Sequence, residues 1–413
     1  MTASADGSRS LIDRAREICL EIAIALMLIS GVTPLAGFDV GVEHMPYGIA
    51  VAVFLGRRPP TSFLIAVGAG ALFWTLSHFY WGAWSEWTYL VQFINVLTPV
   101  IFFSALRDRL ERTARIVFWA YIVFGLVQWF GLLERLEPLL DLFISRFRAA
   151  RAPGYRGVQS LESEPARAGF QLIMLFIIGR NRFRNQTVAF AALVVCQTLL
   201  LRATIGFMLL AIFVLYLAIE WAIRKPKLAP VLLLGVLGVS AAAYAVNPKV
   251  EIIVDRTAAD GVAGLEETLT VTSGGRYLAL KDTIKDIATQ PLGRGADPAF
   301  QGNELEVVQE ERIDLGDGVE YQLERATRPV SAILNAMRTF GVAMAFLVAW
   351  AVRRDMFAGA RPQLNATFWF VVTAALLYGP TGSEALLIAL GFAGGAPPLD
   401  ERHAEPAPVA TKA

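Results

Sequence analysis

Charge is scarce in this chain. Of its 413 residues only 18% are Asp, Glu, Lys or Arg, where a soluble domain carries about a quarter. Cysteine is nearly absent, and Cys19 and Cys196 both fall inside apolar runs, so neither a disulfide framework nor a cysteine metal site is expected. The histidines are His44, His78 and His403; the first two read as interfacial and the third lies in the tail. No glycine-rich loop ending in Gly-Lys-Ser/Thr, no HExxH and no aspartate pair of the nucleotide-sugar kind occurs. The motifs for phosphate-loop and zinc-protease chemistry are therefore missing, and neither metal nor cofactor is expected. The longest polar segment, Asn247–Arg328, holds 16 acidic against 9 basic residues, the wrong sign for nucleic acid.

What the chain does have is apolar length. Hydrophobic residues make up 55% of it, with 26 Phe and 9 Trp, and several runs reach the ~20 residues of helix that cross ~30 Å of hydrocarbon. The expectation is an all-α polytopic membrane protein. Spans are predicted at roughly 17–37, 45–56, 61–79, 87–106, 114–133, 166–179, 187–201, 203–223, 229–246, 330–352 and 366–392. The first run, Ile18–Leu35, is long enough to stay as a span rather than be cleaved as a leader. Alternate junctions are basic: Arg9, Arg14 and Arg16; Arg57 and Arg58; Arg107, Arg109, Arg112 and Arg115; Arg180, Arg182 and Arg184; Arg224, Lys225 and Lys227; Arg353, Arg354 and Arg361. The junctions Phe38–Met45 and Phe79–Trp87 hold no Lys or Arg. The positive-inside rule then puts the N-terminus in the cytoplasm. With 11 spans the C-terminus is outside; an interruption at YGPTGSE, Tyr378–Glu384, makes the last run a broken helix or two short ones, and the count 12.

Two outer segments are large. In Glu134–Pro165, the residues Leu136, Leu139, Leu140, Phe143 and Phe147 recur at helical spacing opposite Glu137, Asp141 and Arg148. That pattern predicts an interfacial amphipathic helix near 136–149. The second, residues 247–329, is the one sizeable outer loop; within it Leu280, Ile284 and Ile287 share a helical face, closed by PLGRG. The tail, 393–413, has the composition of a disordered segment.

Ionisable residues within a span are costly and usually face a cavity or a partner. Glu164, Arg167 and Gln171 are spaced i, i+3, i+7 at the outer end of the sixth span, reading either as interfacial anchors or as the wall of a site. Ser331, Asn335 and Arg338 form a stripe on the tenth span, with Arg325 and Arg328 above them. At ~1.5 Å per residue Arg338 sits roughly 13 Å below Pro329, so it is either half of an ion pair or the receptor for an anion. In LLRATIGF, Arg202 and Thr204 occupy a tight turn at the same outer level, Arg202 being a site residue or a loop arginine. Arginine suits a diphosphate, because its rigid fork pairs with phosphate oxygens and stays charged.

These segments resemble the O-antigen polymerase and ligase superfamily, including Wzy-type exopolysaccharide polymerases. SEPARAG, centred on Glu164-Pro165, is similar to the family's serine/glutamate-proline signature, and RATIG to its Ser/Thr-rich turn. VTSGGRYLALKDTIKDIATQPLGRG resembles the family's Ser-Gly-Arg, helix, Pro-Leu-Gly-x-Gly pattern and carries Arg276 onto its periplasmic arginine. The resemblance covers about Tyr155 to Gly341. Ala166, Ala203 and Ile205 stand where the family has hydroxyl residues, and no histidine lies between His78 and His403. Val330 and Ser331 occupy the place of the ligases' histidine, which favours a polymerase.

The resemblance implies a GT-C-like helical glycosyltransferase of the inner membrane, with its site at the periplasmic face beneath the large loop. It implies metal-independent joining of oligosaccharide repeats on undecaprenyl diphosphate. Catalytic roles fall to Glu164, Arg276 and Arg338, and substrate contacts to Arg167, Gln171, Arg202, Thr204, Arg325, Arg328, Ser331 and Asn335. Membrane lipid, a chain-length regulator and a flippase are the partners it suggests. An O-antigen ligase of the same superfamily and a transporter of lipid-linked glycan remain the alternatives.

Overall fold

The computed structural model describes residues 11–29, 45–56, 58–81, 97–140, 142–144, 157–162, 164–246, 248–272, 276–293, 312–314, 320–322, 331–358, 361–379 and 384–395, with 90, 93 and 94 besides. Residues 38–44 and 82–87 of the two uncharged junctions, Arg325, Arg328 and the tail beyond 395 lie outside them, as do the side chains of Arg276 and Asn335.

The protein is α-helical. In chain order the helices are α1 (Leu11–Leu28), α2 (Met45–Leu55), α3 (Thr61–Trp81), α4 (Pro99–Trp129), α5 (Glu137–Leu140), α6 (Pro165–Gly179), α7 (Gln186–Val195) and α8 (Thr204–Arg224). There follow α9 (Ala229–Val246), α10 (Pro248–Thr272), α11 (Arg276–Thr289), α12 (Ala332–Phe340), α13 (Val342–Ala351), α14 (Ala366–Tyr378) and α15 (Glu384–Ala393). Two three-residue strands, β1 (Arg312–Asp314) and β2 (Glu320–Gln322), pair antiparallel between α11 and α12.

Helix α6 lies at the centre. Every residue from Ala168 to Gly179 is buried, as expected of a helix that is apolar all round. Around it pack α4, α7, α8 and α15, and α1 joins through the Gln171 amide, which donates to the Leu28 carbonyl at 2.7 Å. Three starts are capped by their own side chains: Asn185 on α7, Ser331 on α12 and Asn365 on α14.

The structure gathers basic junctions at one end of the bundle. Arg109 pairs with Glu17 at 2.6 Å, Arg182 with Asp108 and Glu111, and Arg180 reaches Thr367. Glu220 accepts from the Ala366 amide, Asp355 from Ser62, and Asn365 donates to the Ala393 carbonyl.

Several expectations change. The fourth and fifth spans, placed at 87–106 and 114–133, share one helix: α4 runs 31 residues through Arg107–Arg115. No Gly or Pro interrupts it from Val100 to Phe124, and Arg, Leu and Glu continue a helix readily. The tenth span is broken at Gly341 (φ 83) into α12 and α13. The last run is two short helices, α14 and α15. Of the interfacial helix expected near 136–149, the described residues form one turn, Glu137–Leu140, and Ile144 packs against Leu133; residues 141 and 145–149 lie outside them. Within residues 247–329, α10 was not anticipated. It kinks at Gly261, whose φ of 65° and ψ of −140° leave the helical region. On α11 Thr283 is buried and Leu280 and Ile287 are half-buried, while Ile284, expected on the same face, is 54% exposed.

Among the described residues one helix, Thr204–Arg224, is long and apolar enough by itself to cross a membrane. Pro99–Trp129 with Glu134–Leu140 passes the same test as a pair bent by 105°. Large apolar side chains also face outward on many helices: Leu72, Ile116, Val123, Val188 and Phe346 are each more than half exposed.

Candidate functional site

The site is built on the starts of α6 and α8. Helix α6 begins at a Pro preceded by extended Glu164 (φ −148), which orients its first turn. Helix α8 begins after a reversal: Cys196–Leu201 is a π-helical turn, and Arg202 adopts the left-handed conformation (φ 50) that ends it. Such bulges and left-handed non-glycine residues often occur at functional positions. The two helices cross closely, since a Cβ on Gly169 would lie 3.2 Å from the Gly206 Cα. The Gln197 amide fills the crossing and donates to the Gly169 carbonyl at 2.7 Å. Glu164 and Arg167, both half-buried, therefore stand near half-buried Arg202 and Thr204. The Arg202 guanidinium lies 5.5 Å from the centre of the Trp129 ring.

Beneath this rim is a buried polar network. The backbone amide of Ser160, a residue strained at φ 55°, donates to the Gln128 side-chain oxygen at 2.9 Å, and the Ser160 hydroxyl donates to the Tyr121 carbonyl at 2.6 Å. The Tyr121 hydroxyl donates to Glu162 at 2.6 Å, and that carboxylate is fully buried. The Val158 amide bonds the Leu200 carbonyl, tying the segment before α6 to the turn before α8. Of the two glutamates of this segment, Glu162 is enclosed and Glu164 lies at the rim.

A second group lies where α11 meets the break between α12 and α13. Arg338 on α12 pairs through Nε with Asp286 on α11 at 2.9 Å, with only 13% and 19% of the two side chains exposed. One turn onward, the Val342 amide donates to the Pro291 carbonyl. Gly293 (φ 89) and Gly341 (φ 83) meet backbone to backbone; a Cβ on either would come within 2.6 Å of the other segment's main chain. The Pro-Leu-Gly turn after α11 is thus docked into the break between α12 and α13. Ser331, at the start of α12, is buried and donates to the Ala375 carbonyl at 2.7 Å, which fixes α12 to α14. The Phe170 and Tyr378 rings, 5.9 Å apart, join α14 back to α6.

Of the residues expected to act, the fold brings Glu164, Arg167, Arg202 and Thr204 to one rim. Arg338 is in the ion pair that its depth left open as one of two roles. Gln171 and Ser331 are buried and engaged by main-chain carbonyls, a tying rather than a substrate-facing arrangement. Arg276 begins α11. Asp286, Tyr121, Gln128 and Gln197 were missed, although Gln128 and Gln197 each interrupt an apolar run, a sign that could have marked them.

A cavity of about 430 Å³ lies between the α12–α13 limb and the α14–α15 pair, lined almost wholly by apolar side chains. No family model, curated protein or solved structure matches the chain.

Proposed function

We propose that the protein is a multi-span membrane glycosyltransferase that joins oligosaccharide repeats carried on undecaprenyl diphosphate at the outer face of a bacterial inner membrane. The membrane placement is favoured by the outward apolar side chains, because a soluble monomer seldom exposes large contiguous apolar patches. The observation that carries the activity is the rim where two helix N-termini stand together beside Arg167 and Arg202, with Glu164 between solvent and core. Helix N-termini and arginines both favour a phosphate anion.

In the proposed reaction a sugar hydroxyl of one repeat forms a bond to the anomeric carbon of the growing chain. The bond from that carbon to the diphosphate oxygen breaks, and undecaprenyl diphosphate leaves with the electron pair. The hydroxyl proton passes to Glu164, which is at the rim, rather than to the enclosed Glu162. Charge developing on the leaving phosphate is met by Arg167 and Arg202, with Arg276 from the loop helix. Arg338 keeps its pair with Asp286 and positions the loop.

The test uses purified protein in detergent with undecaprenyl-diphosphate-linked repeats and no nucleotide sugar. A ladder of longer glycans with released undecaprenyl diphosphate supports the reading, and no ladder from folded protein removes it. Arg276→Ala is expected to stay in the membrane and make no polymer; polymer of wild-type length in that variant would sink its assignment.

A transporter of lipid-linked glycan is the second reading, and Glu384 favours it. Its side chain is 1% exposed, packed near Gly48 and Thr98, and neither carboxyl oxygen has a hydrogen-bond partner among the described residues. Buried carboxyls within spans are common in proton-coupled carriers. A deletion strain separates the two: single lipid-linked repeats collect outside when a polymerase is lost, and inside when a carrier is.

A further inference from the structure

The cavity between the α12–α13 limb and the α14–α15 pair is not part of the rim. Ile333, Met337 and Phe340 line it on α12, Met344 and Val348 on α13, and Leu390 on α15. A smaller cavity of about 130 Å³ abuts it, sharing Ile333 and Leu387 in its lining. Together they make an apolar crevice with no polar side chain to recognise a sugar. One charged residue, Arg353, joins the lining, just past the end of α13. It belongs to the end of the bundle where Asp355 meets Ser62 and Asn365 meets Ala393, the end that gathers the basic junctions. Among the described residues Arg353 has no hydrogen bond or ion pair, and it is exposed. Its neighbour Arg354 stacks 5.5 Å from the centre of the Trp350 ring.

An apolar crevice with an uncompensated cation at one end selects a ligand that is apolar along its length and anionic at its head. We propose that it holds one chain of an anionic phospholipid of the cytoplasmic leaflet, with the headgroup phosphate on Arg353. This rests on the membrane placement given above but not on the glycosyl transfer. The Arg353 fork supplies charge-assisted hydrogen bonds to phosphate, while the aliphatic walls accept any saturated chain. A zwitterionic lipid offers the same chain with no net charge and is held less well.

The experiment is native mass spectrometry of the full chain in detergent, after exchange into phosphatidylglycerol or phosphatidylcholine of identical chains. The wild type is expected to retain one phosphatidylglycerol, roughly tenfold more than phosphatidylcholine. Arg353→Gln should bring the two lipids level, and Arg353→Lys should keep most of the preference. Ala345→Trp, which fills the crevice, should lower retention of both. Equal retention of the two lipids by the wild type, an unchanged preference in Arg353→Gln, or displacement of the lipid by undecaprenyl phosphate would each overturn the proposal. Release of the chain from membranes by alkaline wash would remove the membrane placement itself, and that result is read before any lipid is counted.

Discussion

Between Gly157 and Gly206 the chain is cross-tied by buried side chains that bond main-chain groups: Gln197 to Gly169, Ser160 to Tyr121, Gln128 to Ser160. Between Asp286 and Gly341, among the described residues, two segments meet through an ion pair and an amide at a glycine contact. The first region has many independent restraints within a core, so its rim is held whether or not anything is bound. The second shows fewer among the described residues, and its loop is expected to leave α12 by breaking a pair and sliding one glycine off another. The proposed polymerisation would use both, a fixed rim to position charge and a cover that admits a growing chain.

The largest expected effect tests the fixed half. A Cβ at Gly157 would overlap the Leu200 and Leu201 carbonyl oxygens, so Gly157→Ala must displace main chain. It should cost about 3 kcal/mol or more, read as a lower unfolding temperature of the detergent-solubilised protein. Gly341→Ala also meets main chain, at Leu292, and strains a positive φ. There the loop can undock instead, so cleavage of the loop by added protease should rise several-fold with a smaller change in unfolding temperature. If both variants lower the unfolding temperature equally, the two regions are not different in kind.

The ion pair comes next. Both side chains are mostly buried, so Arg338→Ala or Asp286→Asn should cost about 1–3 kcal/mol through loss of the pair, discounted from the fully buried case. The exchanged pair, Asp286→Arg with Arg338→Asp, separates roles. Recovery of protease resistance together with polymer synthesis assigns the pair to positioning alone. Recovery of resistance without synthesis would mean that Arg338 touches substrate. Within the fixed half, Tyr121→Phe removes the donor to Glu162 and should cost about 1–3 kcal/mol, seen as a lower unfolding temperature with the loop's protease resistance unchanged.

How much of this was legible follows the same division. The boundaries of α6, α8 and α9 came out within a residue or so, because apolar runs ended at Pro165, Arg202 and Arg224 with breakers or charge beside them. With them came the placement of Glu164, Arg167, Arg202 and Thr204 at or beside helix starts. Helix α4 did not, because four arginines among apolar residues look like a junction, while helix propensity carries the backbone straight through them. The Arg338 partner was hidden for another reason. Asp286 lies on a helix far away in sequence, and nothing local records that the loop folds back onto the span. The break at Gly341 depends on the same fold-back: only the docked Pro291 carbonyl makes a positive φ there useful.

The smallest effect lies in the loop itself and sharpens the comparison at its weak end. Lys281 on α11 bonds Glu266 on α10, and this hydrogen bond, with the carboxylate's charge, raises the ammonium above its ordinary value of 10.5. A raised cation contributes fully below the unfolded pKa and loses that contribution as pH climbs through the folded one. The pair is exposed and so contributes little. Cleavage between α10 and α11 should therefore be slightly slower in the wild type than in Lys281→Met at neutral pH, and the difference should vanish well above pH 10.5. A gap that persists in strong alkali would mean the lysine acts through its aliphatic stem, and the hairpin would then owe its order to packing rather than to charge.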